Sequence, residues 1–342
     1  REASEAGDDR LKARAMVQRG FLRLFTEDVS AEELLAVAED SMLIAERVGD
    51  QLGLARAWRL AGQAHYLARR AAQSLSAGER ALEHARAAGD RFEVIEVVEW
   101  LLVLLLFGPA PAGAAIQRCR QLRSKVAGEL ALEAMTDASI AWSEAARGSA
   151  DEATRLLGEA RSAMQSHGEV VPFLLFQTGL TLMLLDNLEA AATSFQEGFE
   201  FLRTRGRTSH YAACAVGLAE MRYRSGRYGE ADDLIDEASR WIRPNDVWDK
   251  VHCDSGRAKV LARRGDLEAA ERIARQAVSF ASESDFLTAR ADAMSDLAEV
   301  LRLAGRNEEA ARALEEAIEL FERKGNVVAA RQARVVLGRL GA

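Results

Sequence analysis

The stretch that decides the fold is residues 305–310, GRNEEA, because weaker copies of it recur upstream at a nearly constant spacing. The copies are GDLEAA from Gly265, GRYGEA from Gly226, DNLEAA from Asp186 and GSADEA from Gly148. Their first residues lie 38 to 40 positions apart, and the same step continued backwards reaches positions 108, 69 and 29. A polar phrase repeated at this spacing is typical of a turn in a helical-repeat protein.

A second marker lies twenty positions after each of the eight turn positions and supports the same register. The marker residues are Gly49, Gly89, Gly128, Gly168, Gly206, Asp246, Asp285 and Gly325. Between turn and marker, apolar side chains recur at helical spacing, as in Ala310, Leu314, Ala317 and Phe321. Each repeat is therefore predicted to hold two helices of about four turns, with repeat turns near 29, 69, 108, 148, 186, 226, 265 and 305.

The composition agrees with an all-α chain, since it has only four prolines in 342 residues and is rich in Ala, Leu, Glu and Arg. A repeat array grows in one dimension, so a chain of this length can form one continuous unit. We predict a single repeat domain over residues 1–342, closed by a capping helix over residues 327–340.

The repeat resembles the tetratricopeptide repeat (TPR) family, whose helix motifs are partly present. The matching residues are Trp58 with Gly62, Leu218 with Ala219, and Ala191 with Phe195 and Gly198. Two departures are a step of about 39 where the family has 34, and a Gly-Asp or Gly-Asn pair in place of the terminal proline. The resemblance implies an all-α, right-handed α-solenoid of about eight TPR-like hairpins with a C-terminal capping helix.

Long repeats rich in Ala and Arg also resemble the C-terminal TPR-like regions of large bacterial ATP-binding regulators, such as LuxR-type transcription activators and cyclase-linked ATPases. Residues 320–334, LFERKGNVVAARQAR, carry the closest likeness. This resemblance implies a sensor or scaffold part of a larger bacterial signalling or transcription regulator. Because Arg1 is not an initiator methionine, we expect the chain to be a piece of a longer one.

The charge balance argues against direct contact with nucleic acid, since 45 basic and 53 acidic residues give a net charge of −8. Three cysteines, far apart and odd in number, favour reduced thiols and a cytoplasmic location. The most apolar run, residues 97–107, is too short to span a bilayer and is interpreted as a buried helix. We therefore expect no membrane association.

The sequence offers no pattern that supports catalysis. His210 and Cys214 have a spacing that suits two metal ligands on a helix, but no further ligand follows at a suitable spacing. The GPAPAG stretch from Gly108 lacks the lysine and hydroxyl side chain of a phosphate loop and is interpreted as an irregular turn. We expect a protein that is not an enzyme and has no catalytic residues, cofactor or metal.

The TPR resemblance implies a concave groove lined by residues of the first helix of each repeat. In this sequence the ends of that groove are polar and rich in Arg, and its middle is apolar. The candidate groove-binding residues are Arg56, Arg59, Tyr66, Leu102, Leu105, Trp142, Phe173, Phe176, Leu180, Met183, Tyr223, Arg224 and Arg263. The apolar residues would anchor an amphipathic helix or an extended peptide, and the arginines would hold its acidic flanks. Two other interpretations are that the groove is buried against its own neighbours and that the arginines form a solvated face.

The leading functional hypothesis is a protein-interaction module that binds a protein or peptide partner in the groove. The alternatives are a domain that senses a small-molecule inducer and controls an attached ATPase, and a module for homo-oligomer formation through the apolar patch.

Overall fold

The computed structural model describes residues 8–26, 29–167, 171–205, 209–243 and 246–340, and the predicted markers Gly168 and Gly206 lie outside these ranges. The described residues form seventeen helices and no strand, which confirms the all-α prediction. The helices are α1 (Asp9–Thr26), α2 (Ala31–Arg47), α3 (Gln51–Leu67), α4 (Ala71–Ala88), α5 (Arg91–Phe107), α6 (Ala112–Lys125), α7 (Leu130–Ala146), α8 (Ala150–His167), α9 (Pro172–Leu184), α10 (Leu188–Arg205), α11 (Ser209–Arg224), α12 (Tyr228–Ser239), α13 (Val247–Arg264), α14 (Leu267–Ser282), α15 (Leu287–Leu303), α16 (Asn307–Lys324) and α17 (Val327–Leu340). None of these described helices is long and apolar enough to cross a membrane.

The turn phrases lie between the odd-numbered and the even-numbered helices, which are the first and second helices of each hairpin. The first residue of the phrase adopts a left-handed backbone, as at Gly305 with φ 74°. The backbone N–H of Gly305 donates to the Arg302 carbonyl at 3.0 Å, and that of Arg306 donates to the Leu301 carbonyl at 2.9 Å. These bonds satisfy the last carbonyls of α15 and end it, which is why glycine is favoured in the phrase.

The chain contains two compact units, Arg1–Leu105 and Leu106–Ala342. They are called unit 1 and unit 2 below, and the single continuous domain stays a prediction.

In unit 1, arginines of one first helix bind a carboxylate at the start of the next first helix. Arg14 of α1 donates to both carboxylate oxygens of Asp50, the N-cap of α3, at 2.7 Å. The hydrogen bond from Arg14 lowers the pKa of Asp50. Arg59 of α3 likewise donates to the buried Glu93 in the first turn of α5. These pairs tie successive hairpins together and place a carboxylate where the helix dipole favours it.

In unit 2, the ring of Phe195 on α10 lies between two glycines of the neighbouring first helices. A Cβ added to Gly179 on α9 or to Gly217 on α11 would lie 2.6 Å from the nearest carbons of that ring. Phe195 itself is completely buried. The absence of side chains at both glycines therefore lets a large ring fill the space among three helices.

The end of unit 2 packs against its beginning. Lys324, the last residue of α16, is 1% exposed, and its ammonium donates to the carbonyls of Gly108 and Ala110 at 2.9 Å. The Thr288 hydroxyl of α15 donates to the Leu106 carbonyl at 3.3 Å. This contact region is called the seam, with residues 106–112 on one side and Thr288, Lys324 and Gly325 on the other. The C-terminal end of α16 therefore packs against the irregular GPAPAG turn.

Candidate functional site

Unit 2 contains a cavity of about 1090 Å³, called the chamber below. It is lined mainly by the first helices α7, α9, α11, α13 and α15, and by α16 and α17. Six of the eight groove residues predicted in unit 2 lie in the chamber lining.

One wall of the chamber is apolar. Its residues are Phe107, Trp142, Leu180, Met183, Leu184, Trp248 and Phe321. Phe107 and Trp248 have ring centroids 5.3 Å apart, and Trp248 stacks on His252 at 4.2 Å. Leu180, Met183 and Leu184 remain partly exposed, whereas Trp142 is 4% exposed. This wall offers apolar and aromatic surface that can contact a ligand.

A second wall of the chamber is polar and contains three pairs of ionisable side chains between α13 and α15. His252 lies 3.0 Å from Asp292, Lys259 lies 2.8 Å from Asp296, and Arg263 lies 2.9 Å from Glu299, each measured from nitrogen to carboxylate oxygen. Each set of three recurs close to helical spacing, so both helices present it on one face. The charges on this wall are largely neutralised within the chain.

Lys259 is the centre of this wall, since it is 4% exposed and contacts two carboxylates. Its ammonium donates to Glu220 at 2.7 Å and lies 2.8 Å from Asp296. Burial opposes the charged form of Lys259, but Asp296 and Glu220 outweigh burial and raise its pKa. Burial also opposes ionisation of Glu220, yet Lys259 and Arg224 lower its pKa. For Asp296 burial dominates and raises the pKa to about 6. The cost of burying the carboxylate charge is therefore outweighed by neighbouring cations at Glu220 but not at Asp296.

Tyr223 links α11 to this wall. Its hydroxyl donates to Glu299 at 2.6 Å and accepts from Nε of Arg263 at 2.9 Å. Burial raises the pKa of Tyr223, and the neighbouring carboxylate of Glu299 adds to the effect. Nε of Arg224 donates to Glu220 at 2.7 Å. Side chains from the three first helices α11, α13 and α15 therefore form two adjacent hydrogen-bonded groups, one around Lys259 and one around Glu299.

The structure brings six of the predicted groove residues together in the chamber lining: Trp142, Leu180, Met183, Tyr223, Arg224 and Arg263. Phe173 and Phe176 lie outside that lining and are buried in the helix packing, where Phe173 stacks on His210 with ring centroids 5.0 Å apart. Arg224 and Arg263 bind carboxylates of their own chain. A ligand that used these arginines would have to compete with Glu220 and Glu299.

The other five predicted residues belong to unit 1. Arg56 and Arg59 both contact Glu93. The ring of Tyr66 meets that of Trp100 edge-on at 4.4 Å. Leu102 and Leu105 are buried. Both arginines of unit 1 therefore pair with a carboxylate of their own chain.

Several chamber residues were missed from the sequence, and Asp296 is the most informative of them. It follows Lys259 by 37 positions, close to the 36 positions that separate Arg263 from Glu299 and Arg14 from Asp50. A search for opposite charges at that spacing on first helices would have found it. Trp248, Phe107 and Phe321 had no such signal because they lie at helix ends or on a second helix.

No group of three or more His, Cys, Asp or Glu side chains within the described ranges is arranged to hold a metal ion. Burial raises the pKa of each of the three thiols, Cys119, Cys214 and Cys253, to about 12. These cysteines are therefore buried thiols at neutral pH.

Because neighbouring cations offset the burial of Glu220 better than that of Asp296, neutralising each carboxylate should change the free energy of unfolding differently. Glu220→Gln is expected to lower the free energy of unfolding at pH 7 by about 1–3 kcal/mol, because Lys259 and Arg224 both lose charge-assisted partners. Asp296→Asn is expected to cost nothing or to stabilise, because the amide still accepts from Lys259 and removes the less compensated charge. Urea denaturation of the two variants and the wild type measures both effects.

The pH dependence gives the matched control. Folding raises the pKa of Asp296 from 3.8 to about 6, so the folded state binds this proton more tightly than the unfolded state. Wild type should therefore lose stability relative to Asp296→Asn as the pH rises from about 4 to about 6. The stability advantage of Asp296→Asn over wild type should therefore increase between pH 4 and pH 6. An advantage that stays constant over this range, or that is larger at pH 4, would contradict the raised pKa of Asp296.

The sequence model of the tetratricopeptide repeat family matches residues 254–323. No curated protein sequence matches the chain.

Three solved structures illustrate the similarity of fold. The APC/C hetero-tetramer Cut9-Hcn1 is 10% identical with a TM-score of 0.59, over 99% of this chain and 69% of that chain. NprR in complex with its cognate peptide NprX is 15% identical with a TM-score of 0.55, over 75% of this chain and 77% of that chain. A Rap protein complexed with Competence and Sporulation Factor is 12% identical with a TM-score of 0.50, over 97% of this chain and 98% of that chain. Identities this low show the fold alone. Residues 254–323 therefore match the tetratricopeptide repeat family, and the described helices have the fold of tetratricopeptide repeat proteins.

Proposed function

We propose that this chain is a non-catalytic binding module whose chamber in unit 2 takes a peptide segment of a partner. The observation that carries the proposal is the chamber itself, which joins an apolar wall at Leu180, Met183 and Leu184 to a polar wall on α13 and α15. A peptide matches this pair of walls, because its side chains fill the apolar side and its backbone groups meet polar side chains on the other.

The polar wall favours a ligand with little net charge at its centre. Lys259, Asp296 and Glu220 already satisfy one another, as do Arg263 and Glu299. A highly charged ligand would have to break those pairs and leave a buried charge without a partner. Backbone amides and neutral side chains can instead bond to the lone pairs and N–H groups that remain.

The similar structures support a peptide ligand in general terms. NprR, whose fold is similar, was solved with its cognate peptide. Taken with the likeness of the closing stretch to bacterial ATP-binding regulators, this similarity supports a role as the sensor or scaffold part of a cytoplasmic bacterial regulator of signalling or transcription.

A small-molecule inducer is the second candidate ligand. The volume of the chamber, about 1090 Å³, lies just above the range of about 300–1,000 Å³ that is usual for small-molecule sites. In this case the ligand would change the curvature of unit 2 and so control an attached ATPase. Homo-oligomer formation through the apolar groove has less support, because Leu102, Leu105, Phe173 and Phe176 are all buried.

The proposal predicts that binding depends on Met183. Peptides selected from a phage-displayed random library on the purified protein, then labelled and titrated by fluorescence anisotropy, should bind at least tenfold more weakly to Met183→Glu. A carboxylate placed on the apolar wall must be desolvated by the bound peptide, which costs more than the 1.4 kcal/mol of a tenfold change.

Leu182→Glu is the matched control, since Leu182 is equally half-buried on α9 but does not line the chamber. Its affinity for the peptide should match that of wild type. Equal affinity of all three proteins for every selected peptide, with helicity preserved, would place binding elsewhere and overturn the proposal.

A further inference from the structure

We propose that the seam of unit 2 is a latch, held by Lys324, whose opening admits and releases the ligand of the chamber. This inference rests on the proposed function for its ligand, but the latch can be tested without one.

The seam differs in construction from the other helix contacts of unit 2. Consecutive hairpins pack along the length of their helices, through apolar side chains such as Phe195 between α9 and α11 and through ion pairs such as Lys259–Asp296 between α13 and α15. At the seam, a single ammonium reaches two carbonyls of the 108–111 turn, which lies between helices α5 and α6. Contacts of this kind can be broken without unfolding a helix, because they join a turn to a helix end.

Lys324 lies in an apolar setting at this point. Its ammonium is 5.9 Å from the ring centre of Trp142, and the Cys119 thiol on α6 is the titratable group beside it. Burial lowers the pKa of Lys324 to about 7. Keeping a charged lysine in the closed seam therefore costs free energy. This cost makes the free-energy difference between the closed and open seam smaller than it would be if the contact were purely apolar.

The seam is also part of the chamber wall. Phe107 and Thr288 line the chamber on the two sides of the seam, and Phe321 and Asn326 line it beside Lys324. Trp142, beneath the Lys324 ammonium, lines it as well. Separation of α16 from the 108–111 turn would therefore remove one wall of the chamber while the first helices α9, α11 and α13 stay packed.

The structure supplies a reversible lock for the seam. A Cβ on Gly325 would lie 3.5 Å from the Cβ of Ala112, within the Cβ–Cβ range of disulfides. The pair Ala112→Cys with Gly325→Cys should therefore close the seam covalently under oxidation. The native thiols are buried, so an introduced pair or label reacts selectively. Gly325 has φ 76°, so the single Gly325→Cys variant serves as the control for backbone strain.

The first test measures opening directly, without ligand. Nitroxide labels on Gly113→Cys and Arg323→Cys, on opposite sides of the seam, should give one narrow distance distribution by pulsed electron spin resonance. Adding Lys324→Met should produce a second, longer population, because the turn carbonyls lose their donor. An unchanged single distribution in Lys324→Met, with helicity retained, would overturn the latch.

The second test couples the seam to the chamber through the peptide selected on the wild-type protein. In the Ala112→Cys/Gly325→Cys protein, oxidation should slow both association and dissociation of the peptide at least tenfold, and reduction should restore them. Equal rates in the oxidised and reduced forms would overturn gating by the seam. Failure to select any peptide would instead count against the proposed function, while the distance measurement still decides the latch.

Discussion

Replacing Lys259 with methionine is expected to lower the free energy of unfolding by about 3 kcal/mol, because it leaves Glu220 and Asp296 facing each other without their shared cation. For a unit of this size the melting temperature should fall by about 6–12 °C. Thermal unfolding followed by circular dichroism at pH 7 measures the change. The methionine fills the volume of the lysine stem, so the effect reports the lost charge more than a cavity.

Lys250→Met is the matched control on the same helix. The Lys250 ammonium pairs with Asp254 at 2.8 Å, one turn away, and its side chain is 36% exposed. A pair as exposed as this contributes at most about 1 kcal/mol.

The loss of stability in Lys259→Met should also become smaller in acid, where Asp296 and then Glu220 become protonated. A deficit that is the same at pH 4 and pH 7 would show that lost packing, and not lost charge, is responsible.

Phe195→Ala is expected to cost about 3–5 kcal/mol, the usual range for truncation of a buried phenylalanine. The ring fills a space bounded by Gly179 and Gly217, and neither glycine has a side chain that could move into the gap. Urea denaturation of wild type and variant gives the difference, with a lower midpoint and a similar slope as the expected signature.

A double-mutant cycle tests the geometry of this contact. Gly217→Ala alone should cost about 1–3 kcal/mol, because its new methyl group would overlap the Phe195 ring. In the Phe195→Ala background the same change should cost much less, since the space is empty. Gly158→Ala, on an exposed face of α8 with no atom near the new methyl group, should instead stabilise by about 0.5–1 kcal/mol. Equal costs of Gly217→Ala in both backgrounds would refute the proposed wedge.

The hairpins could be predicted from the sequence because each turn is a local feature. The left-handed residue at Gly305 and the apolar stripe from Ala310 to Phe321 depend only on their own neighbours in the chain. The family resemblance also predicted Trp142, Met183 and Tyr223 as groove residues, and all three line the chamber.

The roles of the arginines could not be predicted from their own positions. Arg263 binds Glu299, 36 residues further along the chain, and Arg59 binds Glu93 at a separation of 34. The free energy of such a pair depends on the approach of two helices, which the periodicity of either helix does not contain. Arg263 was predicted as a groove residue, but its pairing with Glu299 was not predicted.

The seam was equally hidden, because Lys324 looks like an ordinary basic residue in the last turn of a helix, where the dipole favours it. Only the packing of unit 2 shows that its ammonium is buried. The sequence did mark the other partner, since the repeat is most irregular at Gly108. A turn that departs from its copies was a sign of a distant contact.

The seam also sets how unit 2 can fold. In an open repeat array every contact is between neighbours, so folding can begin at any hairpin and spread in either direction. Lys324 and Gly108 are 216 residues apart, so their contact closes a very long loop. Synthesis must reach α16 before residues 106–112 acquire their final partners. Until then the newly made first hairpins of unit 2 keep exposed the very surface that the seam later covers.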